Sequence, residues 1–232
     1  MKPGPKPRGK IPLEWSPTLA YTVGLLVADG CLSKDGRHVS LTSKDRVQVE
    51  TFRRCLKLKT KLSTKLSGSG NLAYHTQFGD VLFYRFLMSI GITPAKSNTI
   101  LSVSIPDKYF MDYLRGYFDG DGSSYSYFDP LFKKSYRFYI SFTSGSTEYL
   151  EWLKSKLSKV LGVTGYLCFN KNTAYAQLKY AKSDAVVISR KMYYSKGLPH
   201  LRRKYLKIRK SLRIIESCRS GGIGRRAAFR SQ

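Results

Sequence analysis

The chain has 232 residues, 42% hydrophobic and 13% aromatic, with a formal net charge of +26. That composition allows a sizeable core and excludes a disordered chain, while the charge calls for an anionic partner, nucleic acid being the commonest and an anionic membrane surface the competitor. The longest mostly apolar run, 19–28, is too short to span a bilayer, and Met1–Lys10 has no apolar core of the signal-peptide kind.

The four cysteines (Cys31, Cys55, Cys168, Cys218) show neither a CxxC pair nor a zinc spacing. They read as reduced thiols, which places the protein in the cytoplasm or an organellar matrix.

Residues 1–17 read as a basic, flexible arm. Lys2, Lys6, Arg8 and Lys10 alternate with Pro3, Pro5, Pro7 and Gly4, so the arm cannot be helical. Whether it touches phosphate or stays disordered is open. Pro17 and Thr18 start a first helix that runs to Asp29. Lys34-Asp35-Gly36 is a hairpin turn, followed by a strand in which Val39 and Leu41 alternate with polar residues. A helix is predicted over 44–57, capped by Ser43, with Val47, Phe52, Cys55 and Leu56 inward. Strands follow at 62–66 and 72–78, joined by Ser67-Gly-Ser-Gly70, then a helix over 80–90 that Gly91 stops.

After a linker over 93–106 the order repeats. A helix at 107–120 leads to strands at 124–128 and 136–143. Ser146 caps a helix over 147–161, ended by Gly162. Strands at 165–169 and 174–180 precede a helix from Ser183 to about 193. The fold class expected is α+β: two pseudo-symmetric αββαββα halves, 18–92 and 107–197. Residues 198–232 form a basic extension whose end, from Ser220, has no period and reads as disordered.

Two stretches organise this repeat. Leu19-Ala-Tyr-Thr-Val-Gly24-Leu-Leu-Val-Ala28-Asp29-Gly30 and Tyr113-Leu-Arg-Gly116-Tyr-Phe-Asp119-Gly120-Asp121-Gly122 lie 92 residues apart. Each is an apolar helix ending in Asp-Gly. Each carries small residues four apart, Gly24 and Ala28 or Gly116 and Gly120, hence on one face. Stripes of this kind let two helices approach backbone to backbone, as in membrane helix pairs. The pairing brings Asp29 and Asp121 together at helix C-termini, where negative charge is disfavoured by roughly 0.3–1 kcal/mol. A divalent cation would relieve that repulsion, and Mg²⁺ suits oxygen donors beside phosphate, with Ca²⁺ or Mn²⁺ as substitutes.

The paired stretches resemble the motifs of the LAGLIDADG homing endonucleases, and the resemblance runs from about residue 18 to 210. The second motif is close to the family form. The first departs from it, with Val27 in the place of the acid whose partner is Asp119. The resemblance implies that the motif helices form the interface between the halves and that the eight strands form a saddle seated on DNA. It implies metal on Asp29 and Asp121, with the backbone carbonyls of Ala28 and Gly120. It also implies basic or polar residues beside the scissile phosphates, late in the fourth strand of each half. By strand parity these are Lys179 in the second half, and His75 and Gln77 in the first.

The same parity gives a DNA-facing set: Arg37, His38, Ser40, Thr42, Ser63 and Lys65 in the first half, and Tyr125, Tyr127, Arg137, Tyr139, Ser141, Thr143, Tyr175 and Gln177 in the second. The function expected is hydrolysis of both strands of a long asymmetric double-stranded DNA site, by a monomer encoded within an intron. Alternatives are an RNA maturase acting on intron RNA, or a non-cleaving DNA-binding regulator. A ribosomal or chromatin protein leaves the paired motifs without a purpose. An intein is disfavoured because the chain opens with Met and ends in Ser-Gln.

Overall fold

A computed structural model describes residues 9–66, 70–169 and 173–228, with side chains as far as Cys218. Residues 1–8, 67–69, 170–172 and 229–232 lie outside this set. The first half runs α1 (Pro17–Asp29), β1 (Gly30–Leu32), β2 (His38–Ser43), α2 (Arg46–Cys55), β3 (Ser63–Leu66), β4 (Leu72–Gly79) and α3 (Val81–Ser89). The second runs α4 (Phe110–Asp121), β5 (Gly122–Phe128), β6 (Tyr136–Ser144), α5 (Thr147–Leu161), β7 (Tyr166–Phe169), β8 (Ala176–Tyr180) and α6 (Lys182–Met192). A further helix, α7 (Arg202–Ala228), closes the chain.

Each half has one antiparallel sheet, ordered β1-β2-β4-β3 and β5-β6-β8-β7. The registers match. The glycine after each motif pairs with the inward residue of the next strand, Gly30 with Leu41 and Gly122 with Phe142. Val39 and Leu41, like Phe138, Ile140 and Phe142, are buried under the helices. Their neighbours of opposite parity line the other face, as period-2 alternation requires.

Three local expectations change. The cap of α2 is Asp45, whose carboxylate accepts the Val47 amide at 3.1 Å, while the Ser43 hydroxyl accepts the Asp45 amide. The chain stays extended through Asp45, so the helix starts at Arg46, and Phe52, Cys55 and Leu56 face the core as expected. Gln48, Val49, Thr51 and Phe52 turn inward, and Val47 is 50% exposed.

The basic arm is docked from Lys10 onward. The amides of Lys10 and Ile11 donate to Asp80 Oδ2 at 2.7 and 3.2 Å, Ile11 is buried, and Trp15 packs edge-on against Phe86. Asp80 also caps α3 through the Phe83 amide, so one carboxylate serves both segments.

The C-terminal extension is helical to Ala228, including the stretch expected to be irregular. No proline interrupts α7 along that stretch. Its earlier turns bury Ile208, Ser211 and Ile215, with Ser211 Oγ 3.0 Å from Ser126 Oγ of β5.

Candidate active site

The centre of the molecule is the contact between α1 and α4. A Cβ added at Gly24 would lie 2.1 Å from the Tyr113 carbonyl oxygen, and one at Gly116 would lie 2.0 Å from that of Tyr21. These obstacles are backbone, so only glycine permits the approach. One turn further on, a Cβ at Gly120 would lie 2.2 Å from the Ala28 methyl and 3.0 Å from Asp29 Oδ2. The small-residue stripes therefore deliver Asp29 onto the end of α4, beside Asp121.

The two carboxylates have unequal surroundings. Gln48 Nε2 donates to Asp29 Oδ2 at 2.6 Å. No such bond reaches the Asp121 carboxylate among the described residues. Burial raises the pKa of Asp29, opposed by the Gln48 hydrogen bond and by Lys204 and Lys96. Asp121 is raised to about 6, by burial first and then by the charge of Asp29. That mutual repulsion marks the two groups as neighbours.

Two lysines that the sequence reading did not single out stand beside this pair. Lys204, in the first turn of α7, donates its ammonium to the carbonyls of Phe118 (2.7 Å), Gly120 (2.8 Å) and Gly122 (2.6 Å). It thereby satisfies the exposed carbonyls at the C-terminus of α4. Lys96, between the halves, is 5% exposed and donates to the Gly30 carbonyl at 2.5 Å. Burial lowers the pKa of both, that of Lys204 to about 8. Each follows the third helix of its half, but at unequal spacing, so no repeat register exposes them.

The motif acid Asp119 is fully buried and faces away from this chemistry. Its Oδ2 accepts the Tyr21 hydroxyl at 2.8 Å and the Leu201 amide at 2.7 Å, and its Oδ1 has no partner. Burial lifts its pKa to about 6. It ties α1 to α4 and both to the start of α7. Arg115, also buried, pairs with Asp112 at 2.7 Å and donates to the carbonyls of Met192 and Pro199.

The other expected site residues lie on the open faces of the sheets. Across the first sheet Cys31, Ser40 and Gln77 form one row, and across the second Ser123, Ser141 and Lys179 form the equivalent row. Lys179 is thus two strands, roughly 10 Å, from the strand that leaves the motif helix. His75 pairs with Thr42, whose hydroxyl lies 2.9 Å from its Nδ1, and burial lowers the His75 pKa. Arg37, His38, Ser63, Lys65, Tyr125, Tyr127, Arg137, Tyr139, Thr143 and Gln177 are all partly or fully exposed, as is Tyr175 just before β8. Ser141 differs, being 2% exposed with its hydroxyl 2.7 Å from that of Ser123. The imidazole of His38 and the guanidinium of Arg137 are engaged by Asp35 and Asp129.

The donor chemistry fits a hard divalent cation. Two mutually repelling carboxylates, one without a hydrogen-bond donor, offer oxygen and little else, and Mg²⁺ needs only one or two carboxylates when phosphate and water complete its shell. No group of three or more His, Cys, Asp or Glu occurs among the described residues, so this is not a closed protein cage. The Gly120 carbonyl already accepts Lys204 and has one lone pair left; the Ala28 carbonyl holds the same position in α1.

No family model and no curated protein matches the sequence. Solved structures do match. The homing endonuclease I-WcaI bound to its DNA recognition sequence is 16% identical with a TM-score of 0.58, over 82% of this chain and 86% of that one. Full-length WhiA from Thermatoga maritima is 15% identical with a TM-score of 0.56, over 94% and 69%. I-DmoI in complex with DNA and Ca is 15% identical with a TM-score of 0.53, over 79% and 93%. The chain has the LAGLIDADG fold. No described helix is long and apolar enough to cross a membrane.

Proposed function

We propose that this chain, which has the LAGLIDADG fold, is a site-specific endonuclease that hydrolyses both strands of double-stranded DNA with a divalent metal, Mg²⁺ by preference. The observation that carries the reading is the meeting of Asp29 and Asp121, delivered by two glycine-lined helices to the line where both sheets begin. Asp29 and Asp121 would hold the metal, helped by the carbonyls of Ala28 and Gly120, and the metal would supply an activated water and charge neutralisation at the phosphate. Gln48 fixes the direction of the Asp29 carboxylate. Lys96 and Lys204 keep positive charge beside the pair, which favours both carboxylates ionised and offsets charge gathering at phosphate. The open sheet faces supply the groove contacts, with Lys179, Lys65 and Arg37 as phosphate or base-edge donors. Both halves sit in one chain, so the enzyme acts as a monomer.

The test starts from a random duplex library, from which the wild-type protein enriches its site. A plasmid carrying that site is then linearised in Mg²⁺ by the wild type, while Asp121→Asn still binds it and leaves it closed. Cutting by that variant at the wild-type rate removes Asp121 from the mechanism.

One observation favours a second reading. Lys204 occupies the Gly120 carbonyl and sits where a cation is wanted, so the pair is partly neutralised without metal. A DNA-binding protein that does not cleave would keep this arrangement. Binding that is indifferent to divalent ions, with no cut at any enriched site, selects that reading.

A further inference from the structure

The turn between β5 and β6 is longer than its counterpart in the first half and differs from it in chemistry. There the β1–β2 turn is polar, Lys34-Asp35-Gly36-Arg37. Here the turn is Asp129-Pro-Leu-Phe-Lys-Lys-Ser135, and it presents Leu131 at 87% and Phe132 at 67% exposure. Two large apolar side chains held out in water need a reason, because a collapsed turn would hide them.

The turn is built to prevent that collapse. Asp129 Oδ1 accepts the amides of both Leu131 and Phe132, at 3.0 and 3.1 Å. Asp129 Oδ2 pairs with Arg137 at 2.9 Å. The Ser135 amide donates to the Phe132 carbonyl at 2.6 Å, and the Asp129 amide donates to the Ser135 carbonyl at 2.8 Å. The apolar tip is therefore fixed at the end of a paired ribbon. Lys133 and Lys134 follow it directly, and Arg137 joins it to the open sheet face.

We propose that Leu131 and Phe132 form an apolar wedge that enters between base pairs of duplex DNA and kinks it, with Lys133 and Lys134 holding the adjacent phosphates. The inference rests on the DNA-binding reading above and adds to it a place and a mode of deformation. Apolar side chains beside basic ones suit this task, since partial unstacking is offset by closer phosphate contact. The adjacent Lys133-Lys134 pair favours DNA over an apolar partner, and the ribbon is continuous with the face assigned to the groove. The ribbon pairs from Gly122↔Phe142 to Phe128↔Tyr136, six steps of about 3.4 Å, or roughly 20 Å. At about 3.4 Å per base pair the kink falls some six base pairs from the carboxylates, on the second half's side only.

Relaxed closed circular plasmid, treated with a type I topoisomerase in EDTA, tests the wedge without cleavage. Plasmid retardation reads binding, and the linking-number shift reads unstacking. The wild type should retard the plasmid and shift its linking number. The double variant Leu131→Ser, Phe132→Ser should retard it within about tenfold of wild type and leave the linking number unchanged. Both positions are exposed, so the variant keeps its fold, which its melting temperature checks. Equal shifts from wild type and variant, or retardation by the wild type with no shift, overturn the wedge and leave the DNA-binding reading standing. No retardation by the wild type overturns both. A dimer in sedimentation that the variant dissolves assigns the tip to a second copy of the chain instead.

Discussion

Tyr21 of α1 donates its hydroxyl to Asp119 of α4 at 2.8 Å, across the central helix contact. Its counterpart Tyr113 finds no such acid, because Val27 stands at the equivalent position, and it shares a hydrogen bond with the Tyr149 hydroxyl inside its own half. Register carries the asymmetry further: Tyr149 holds the place in α5 that Gln48 holds in α2. Loss of one acid thus coincides with loss of the amide that would support Asp121.

Tyr21→Phe should be more damaging than Tyr113→Phe. The first removes a donor from a buried carboxylate, worth about 1.5–3 kcal/mol; the second breaks a neutral hydroxyl pair, worth about 1. At this chain length each kcal/mol moves the melting temperature by about 2–4 °C. The Tyr21 bond favours the ionised form of Asp119, whose pKa is already about 6. The Tyr21→Phe deficit should therefore be larger at pH 7.5 than at pH 5. A deficit independent of pH would show that Asp119 does not titrate between pH 5 and 7.5.

Gly116→Ala and Gly24→Ala should each cost 3 kcal/mol or more, at the upper end for overpacking, because the new methyl meets helix backbone near 2 Å. Gly162→Ala is the control. That residue has φ 66° and nothing within 4 Å of the added Cβ, so only backbone strain of about 1 kcal/mol applies. Urea unfolding of the three variants orders them. A Gly116→Ala protein of near wild-type stability would mean that the helices can slide apart without loss.

The element order of both halves and the parity of the open faces are legible in the sequence because they follow from period, whereas the order of strands within each sheet is not, since pairing partners leave no mark in period. Gly24, Gly116 and the two Asp-Gly ends also announce the helix pair. Lys96 and Lys204 are not legible, since a lysine in a linker or on a basic helix looks like solvated surface until the fold carries it to a helix end. Gln48 fails for a different reason. Its amide is polar, so it is passed over when the inward face of α2 is picked out by apolar residues, and only the packing of α2 on α1 shows that it meets Asp29. The ordered segment from Lys10 to Ser16 is hidden because it continues a proline-rich arm and its partner Asp80 is 70 residues away.

Lys179→Ala should weaken DNA binding uniformly across sequences. Lys179 lies on the open face without an ion pair among the described residues, so its loss removes about one phosphate contact. The slope of log K against log salt should fall by about 1. Gln77→Ala, the equivalent position in the first half, should leave the slope unchanged. Equal slopes for wild type and Lys179→Ala would place the lysine off the DNA.

Asp121→Asn should stabilise the metal-free protein at pH 7.5. The folded pKa of Asp121, about 6, lies above its model-compound value of 3.8. The native state therefore holds the proton more tightly than the unfolded one. That contribution is complete below about pH 3.8 and lost as pH rises through 6. Asn removes the loss, so its melting temperature should exceed the wild type's at pH 7.5, and the gap should narrow toward pH 4. Addition of Ca²⁺ should reverse the order, raising the wild type and leaving Asp121→Asn and Asp29→Asn unmoved. Ca²⁺ stabilisation that survives in both variants would place the ion elsewhere.

Lys204→Met should unite the structural and electrostatic arguments. The ammonium serves three carbonyls at the end of α4, and each loses its donor in the variant. The melting temperature should fall by more than in Lys96→Met, where one carbonyl, Gly30, is affected. Lys204 also favours ionised Asp121, so its removal should raise the Asp121 pKa beyond about 6. Ca²⁺ binding needs that carboxylate ionised, and the midpoint of Ca²⁺ stabilisation against pH should move upward in Lys204→Met. A merely structural lysine would lower stability and leave that midpoint in place. The Gly120 carbonyl, freed of its donor, becomes fully available to the ion, so affinity on the alkaline plateau above the shifted midpoint should hold or increase. A loss of affinity on that plateau would show that the lysine positions the site and does not compete with the metal for it.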